Sequence, residues 1–211
     1  VPDPQDARPQ AASQRRRGRL TSVGVPTRTL VLGGARSGKS GHAESLAVLE
    51  PVRYLATGRR DTTDEDWQRR IDLHRASRPN HWSTVETVTS LAGVIAQPWD
   101  GTTVVDDLGT WLTGMLDDAQ AWELPRGTIA PAVDNLVGAV ADCTSPLVLV
   151  SPEVGLSVVP ESRSGRLFRD ELGSLNSRLA TVCDRVLLVV AGLALTLKEP
   201  PADFTTAKGT V

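Results

Sequence analysis

The chain has 211 residues, 40% hydrophobic and 23% charged, which is ordinary globular usage and excludes a disordered, collagen-like or disulfide-stapled protein. Its 23 basic and 25 acidic side chains leave a net charge of −2, no electrostatic footprint for nucleic acid, so small-molecule partners are expected. The longest apolar run, 186–197, is far shorter than the roughly 20 residues of a membrane-spanning helix, and the separated Cys143 and Cys183 suit a reducing cytoplasm.

In chain order, residues 1–28 are rich in Pro, Gln, Ser and Arg, with no apolar periodicity, and read as a disordered basic extension. From residue 29 the pattern becomes short apolar runs alternating with longer amphipathic stretches. Strands are expected at 29–33, 52–57, 102–106, 146–151 and 185–191, with a weaker one at 82–86. Helices are expected near 39–49, 64–76, 108–120, 128–142 and 164–182. The strand segments are apolar on both faces, the pattern of a parallel sheet covered by helices on each side. One α/β domain over 29–198 is therefore expected, with 199–211 a loose tail.

The segment after the first strand, GGARSGKS, fits the phosphate-loop pattern G-x-x-x-x-G-K-[ST], with Gly33, Gly38, Lys39 and Ser40 at the fixed positions and Gly34, Ala35, Arg36 and Ser37 between them. Glycines let successive amides converge on phosphate oxygens, and the following helix points its positive end at the same anion. Lys39 is a point charge for the β and γ phosphates, and the Ser40 hydroxyl is a Mg²⁺ ligand. The composition sharpens this: 20 of the 23 basic residues are arginine, and Lys39 is the only lysine before position 198. A second metal carboxylate belongs at the end of a neighbouring apolar strand, where TTVVDDL supplies Asp106 and Asp107. Alternation along a strand lets only one face the nucleotide edge, and Asp106 is the expected one.

In RRIDLHRASRP, residues 69–79, a helix would place Arg70, His74 and Arg78 on one face, with Pro79 ending it. Positive neighbours disfavour protonation of the imidazole, and the neutral ring is the form that acts as nucleophile or base. The arginines offer bidentate sites for phosphate oxygens.

Taken in order, GGARSGKSGHAE, YLATG, DWQRRIDLHRASRPNHWSTVE, VVDDLGTWLTGML, VSPEVGLSVVP, GRLFRDELGSLNSRLA and DRVLLVVAGLALTLK closely resemble the successive motifs of the bifunctional adenosylcobinamide kinase / adenosylcobinamide-phosphate guanylyltransferase family. The resemblance spans about residues 29–198. It implies a single-domain P-loop NTPase fold of RecA-like type and a cytoplasmic homo-oligomer, commonly a trimer. It implies phosphorylation of adenosylcobinamide by ATP or GTP, then transfer of GMP from GTP to adenosylcobinamide phosphate through a covalent histidine, with release of pyrophosphate. By position, His74 is the implied nucleophile and Lys39 its catalytic partner. Gly33 to Ser40, Gly58, Arg59, Arg60, Arg75, Ala76, Ser77, Arg78, Glu86 and Asp106 are the implied nucleotide contacts, with Ser40 and Asp106 holding Mg²⁺. Four positions depart from the family pattern. Pro152 stands where an asparagine is usual, Ser157 where a glycine is, and Gly109 and Gly114 where larger or polar residues are, which bears on the corrinoid side and the kinase half. A homologue retaining one activity, or a GTP-binding regulatory protein, are the alternatives; against the latter, no Asn-Lys-x-Asp guanine-reading motif occurs.

Overall fold

The computed structural model describes residues 28–59, 78–86 and 90–199. They form a seven-stranded sheet in the order β3-β2-β4-β5-β1-β6-β7. The strands are β1 (Arg28–Gly33), β2 (Val52–Ala56), β3 (Ser83–Glu86), β4 (Thr102–Asp106), β5 (Leu147–Pro152), β6 (Arg185–Val190) and β7 (Leu193–Lys198). All neighbouring pairs are parallel except β6 with β7. The helices are α1 (Lys39–Ser45), α2 (Leu91–Ile95), α3 (Leu108–Asp118), α4 (Ala130–Asp142) and α5 (Arg163–Val182).

The doubly apolar strands are explained by two cores. Along β1, Leu30 and Leu32 enter the larger core with α2 to α5, while Val31 enters the smaller one with Ala43 of α1. The C-terminal ends of β1, β2, β4 and β5 carry Gly33, Ala56, Asp106 and Pro152 to one edge of the sheet, where α/β folds bind ligands.

Several expectations shift. Arg28, placed in the extension, opens β1, and α1 stops at Ser45. The short α2 and the antiparallel β7 were not expected. The apolar run 186–197 is a hairpin, because Ala191 and Gly192 both take positive φ, 51° and 80°, the two-residue turn that matches strand twist. Residues 1–27, the expected helix 64–76 and residues 200–211 lie outside the described residues.

At the opposite end of the sheet, Arg28 joins β1 to the start of β6. Its Nη2 lies 2.8 Å from Asp184 Oδ1, and Asp184 also accepts from the Arg28 amide at 2.9 Å. These donors hold the Asp184 carboxyl below its usual range. A depressed folded-state value means the pair stabilises the fold above the unfolded carboxyl's range and loses that contribution as pH falls through the folded value. Asp184→Asn is therefore expected to lower Tm by about 2–4 °C at neutral pH. The difference from the parent chain should close in melts on the acid side of about pH 4; a gap independent of pH would contradict this.

Candidate nucleotide site

The phosphate loop is built by close backbone approach. A Cβ on Gly33 would sit 2.4 Å from Ser37 Oγ and 2.7 Å from the Val189 carbonyl oxygen, so only glycine lets the loop turn over β6. Gly38 takes φ +90°, and its missing Cβ would face Gly192 Cα at 3.4 Å. The Gly192 amide donates to the Ser37 carbonyl at 2.8 Å, so the unexpected β6–β7 hairpin braces the loop from beside. No side chain caps the start of α1, and Lys39, the first residue of that helix, is 91% buried by its neighbours, at 9% exposure, with no ion pair among the described residues. A largely buried lysine with no ion pair among the described residues, whose charge is felt at the Asp107 carboxyl, is suited to an anionic ligand.

Asp106 ends β4 beside this loop. The Ser40 hydroxyl donates to its Oδ1 at 3.3 Å and the Tyr54 phenol to its Oδ2 at 2.5 Å. Burial, then the charge of Asp106, raise the Tyr54 phenol far above its ordinary value, so it stays a donor. Arg78 stacks on the other side of Tyr54, 3.4 Å from the ring centroid, and its Nε is 3.9 Å from Glu44 Oε1. Those two atoms are buried without a hydrogen-bond partner among the described residues, two open polar positions that a ligand group would satisfy. Burial raises Glu44, with Arg78 working against it.

Asp107 is turned the other way. It N-caps α3, accepting from the Thr110 amide at 2.9 Å, while burial and the neighbouring Asp106 raise its carboxyl. The Asp106–Asp107 peptide is cis. Thr57, fully buried, donates to the Asp107 carbonyl at 2.6 Å and so ties the end of β2 to this turn.

The fold thus gathers Gly33 to Ser40, Asp106 and Arg78 at one sheet edge. Gly58 follows β2 there, but Arg59 is carried onto α3, where it meets the Gly114 carbonyl at 3.1 Å and Asp118 at 2.5 Å. Glu86 ends the edge strand β3, in register with Ala56, and so lies two strands from Asp106. Arg60, His74, Arg75, Ala76 and Ser77 lie outside the described residues. Tyr54, Glu44 and Asn176 were missed by sequence reading. Asn176 accepts from Ser151 Oγ at 2.6 Å and donates to the Pro152 carbonyl at 3.0 Å, fixing the end of β5 under the site. None of these three left a local signal; the capping role of Asp107 did, as an aspartate immediately before the helix that starts at Leu108.

Two of the departures from the family pattern meet in space. A Cβ on Gly109 would lie 2.8 Å from Pro152 Cγ, so the proline ring fills the volume a side chain at 109 would need. Gly109→Ala is expected to destabilise the chain by about 1–3 kcal/mol through overpacking, and Gly109→Ala with Pro152→Asn to recover most of it. Chemical denaturation of both variants measures this; equal losses in the two would break the link.

Set beside known proteins, residues 29–197 match the family model described as cobinamide kinase / cobinamide phosphate guanyltransferase. The chain is 40% identical over 180 residues to the bifunctional adenosylcobalamin biosynthesis protein CobP of Pseudomonas aeruginosa, covering 82% of this chain and 99% of that one. It is 37% identical to CobU of Salmonella typhimurium, covering 80% and 98%. Among solved structures it resembles an ATPase of a bacterial type III secretion system, at TM-score 0.50, 10% identity, and coverage of 81% of this chain and 58% of that one, a likeness of fold alone. The mostly parallel sheet, the phosphate loop at its edge and the match across the folded region together place this chain in the cobinamide kinase / cobinamide phosphate guanyltransferase family.

Proposed function

We propose that the chain carries both activities of its family at one phosphate-binding site. The carrying observation is the convergence of Lys39, Ser40, Asp106 and Arg78 at the C-terminal edge of the sheet. In the first step the hydroxyl of the adenosylcobinamide side arm attacks the γ-phosphorus of ATP or GTP. The new O–P bond forms as the bond to the β-phosphate oxygen breaks, and the hydroxyl proton leaves to water. The loop amides and Lys39 hold the β and γ oxygens on which charge develops.

In the second step the neutral His74 imidazole attacks the α-phosphorus of GTP, forming an N–P bond and releasing pyrophosphate into the same cradle; the ring proton is then lost. A phosphate oxygen of adenosylcobinamide phosphate attacks that phosphorus, the N–P bond breaks as the departing ring takes a proton back from water, and adenosylcobinamide-GDP leaves with His74 neutral again. His74 stands four positions before Arg78, which the fold stacks on Tyr54 beside Asp106. Arg75, Ala76, Ser77 and Arg78, with Gly58 and Arg60, make up the remaining nucleotide contacts in this reading, Arg59 joining them only on leaving its Asp118 partner, and Glu86 is an outer contact for base or ribose.

Ser40 and Asp106 supply two hard oxygens 3.3 Å apart, a fit for Mg²⁺, which takes few protein ligands and completes its shell with phosphates and water. When bound there, Mg²⁺ supplies charge neutralisation at the phosphates. Among the described residues no group of three or more His, Cys, Asp or Glu side chains forms a separate metal site, and no helix is long and apolar enough to cross a membrane. The chain works in the cytoplasm as a homo-oligomer, a trimer in this reading.

With α-³²P-GTP, His74→Ala is expected to abolish protein-bound label while retaining phosphorylation of adenosylcobinamide; label on the variant would sink the histidine intermediate. Lys39→Ala should cut both activities by about 10²-fold or more. A Lys39→Ala enzyme with full GTP turnover would show that the loop is not the working site.

A further inference from the structure

The loop from β5 to α5, residues 153–162, leaves the sheet beside the phosphate loop. Pro152 is in register with Gly33, and the Glu153 amide donates to the Gly33 carbonyl at 3.0 Å. Both bases of the loop are held. On one side Val154 packs on the larger core and the Gly155 amide donates to Glu153 Oε1 at 2.6 Å. On the other, the Arg166 guanidinium donates to the Pro160 and Glu161 carbonyls, and a Cβ on Gly165 would lie 2.8 Å from Pro160 Cβ, so the loop end packs tightly on α5.

Between these anchors stand Leu156, Ser157, Val158 and Val159. The three aliphatic side chains are 85%, 90% and 57% exposed. Loop tips are ordinarily polar or small, since their side chains face water. Three aliphatic groups presented to solvent from a fixed base form a surface for an apolar ligand.

We propose that Leu156, Val158 and Val159 bind the corrin macrocycle of the cobinamide acceptor. This rests on the function proposed above. Both steps bring the acceptor's side arm, first its hydroxyl and then its phosphate, to a nucleotide held by Gly33 to Ser40. The broad ring that carries the arm must then lie against whatever borders the phosphate loop. The loop 153–162 begins one hydrogen bond from Gly33, and it presents an exposed aliphatic surface against which the methyl-bearing framework of the corrin packs while its amide arms stay in water. Pro152, the departure at its root, supplies a rigid start to that border.

The test is the variant Leu156→Ser/Val158→Ser/Val159→Ser, compared with the parent chain for the KM of cobinamide in the kinase step, the Kd of GTP, and mass by sedimentation. Cobinamide KM is expected to rise about tenfold or more, since three apolar contacts are lost, while the GTP Kd is unchanged. The single variant Val158→Ser, at the most exposed position, should move KM in the same direction by a smaller factor, and serves if the triple variant folds poorly. An unchanged KM overturns the proposal. An unchanged KM with loss of self-association would assign the patch to contact between copies of the chain, also overturning it. A parent chain that binds GTP but phosphorylates no cobinamide would instead sink the functional reading, and the corrin site with it.

Discussion

The structure turns on the space beneath the phosphate loop. Gly33 leaves β1 so close to the Val189 carbonyl and to Ser37 that a single methyl group would collide with both. This contact sets the height at which the loop crosses the sheet edge, and with it the positions of the amides, Lys39 and Ser40. The hairpin formed by β6 and β7 is therefore part of the site although it contributes no side chain to it: Val189 is the floor and the Gly192 amide is a brace on Ser37. Burial of the loop's own groups follows, leaving Lys39 largely buried at the start of α1.

On the other side of the loop, order is passed through Tyr54. Its phenol donates to Asp106 while its ring carries Arg78, so one buried side chain sets both the carboxylate facing Ser40 and an arginine facing the nucleotide region. The division of labour between the adjacent aspartates has a local cause. Asp107 is consumed as the cap of α3, which leaves Asp106 as the acid available to the loop. The arginine excess takes on several meanings in this setting. Arg78 is held at the site, Arg59 is drawn to Asp118, and Arg28 ties the far end of β1 to Asp184. Lysine is kept where three rotatable donors serve better than a fork: Lys198 donates to the Ala180, Thr181 and Cys183 carbonyls and closes the C-terminal end of α5.

The central strands were legible because a parallel strand buried on both faces must read as a short apolar run, and the phosphate loop was legible because its chemistry fixes both residue type and spacing. What remained hidden was long-range. Tyr54 meets Asp106 across 52 positions, and Asn176 reaches Ser151 across 25, contacts that no local periodicity records. Arg53 sat unnoticed inside an apolar segment, buried beneath Trp99 with its Nε on Thr103. The strand β7 was obscured because its turn, Ala191–Gly192, interrupts an apolar run with only one glycine. Gly109 and Pro152 each departed from the family pattern, yet only the fold reveals that one makes room for the other.

The most direct test of this account is the affinity of Gly33→Ala for GTP, titrated in the presence of Mg²⁺ below the variant's own melting temperature. If the contact of Gly33 with Val189 and Ser37 sets the loop, the folded variant should bind GTP at least about tenfold more weakly than the parent chain, a loss of roughly 1.4 kcal/mol. Unchanged affinity in a folded Gly33→Ala protein would show that the nucleotide is held by something other than this backbone geometry, and would contradict the account.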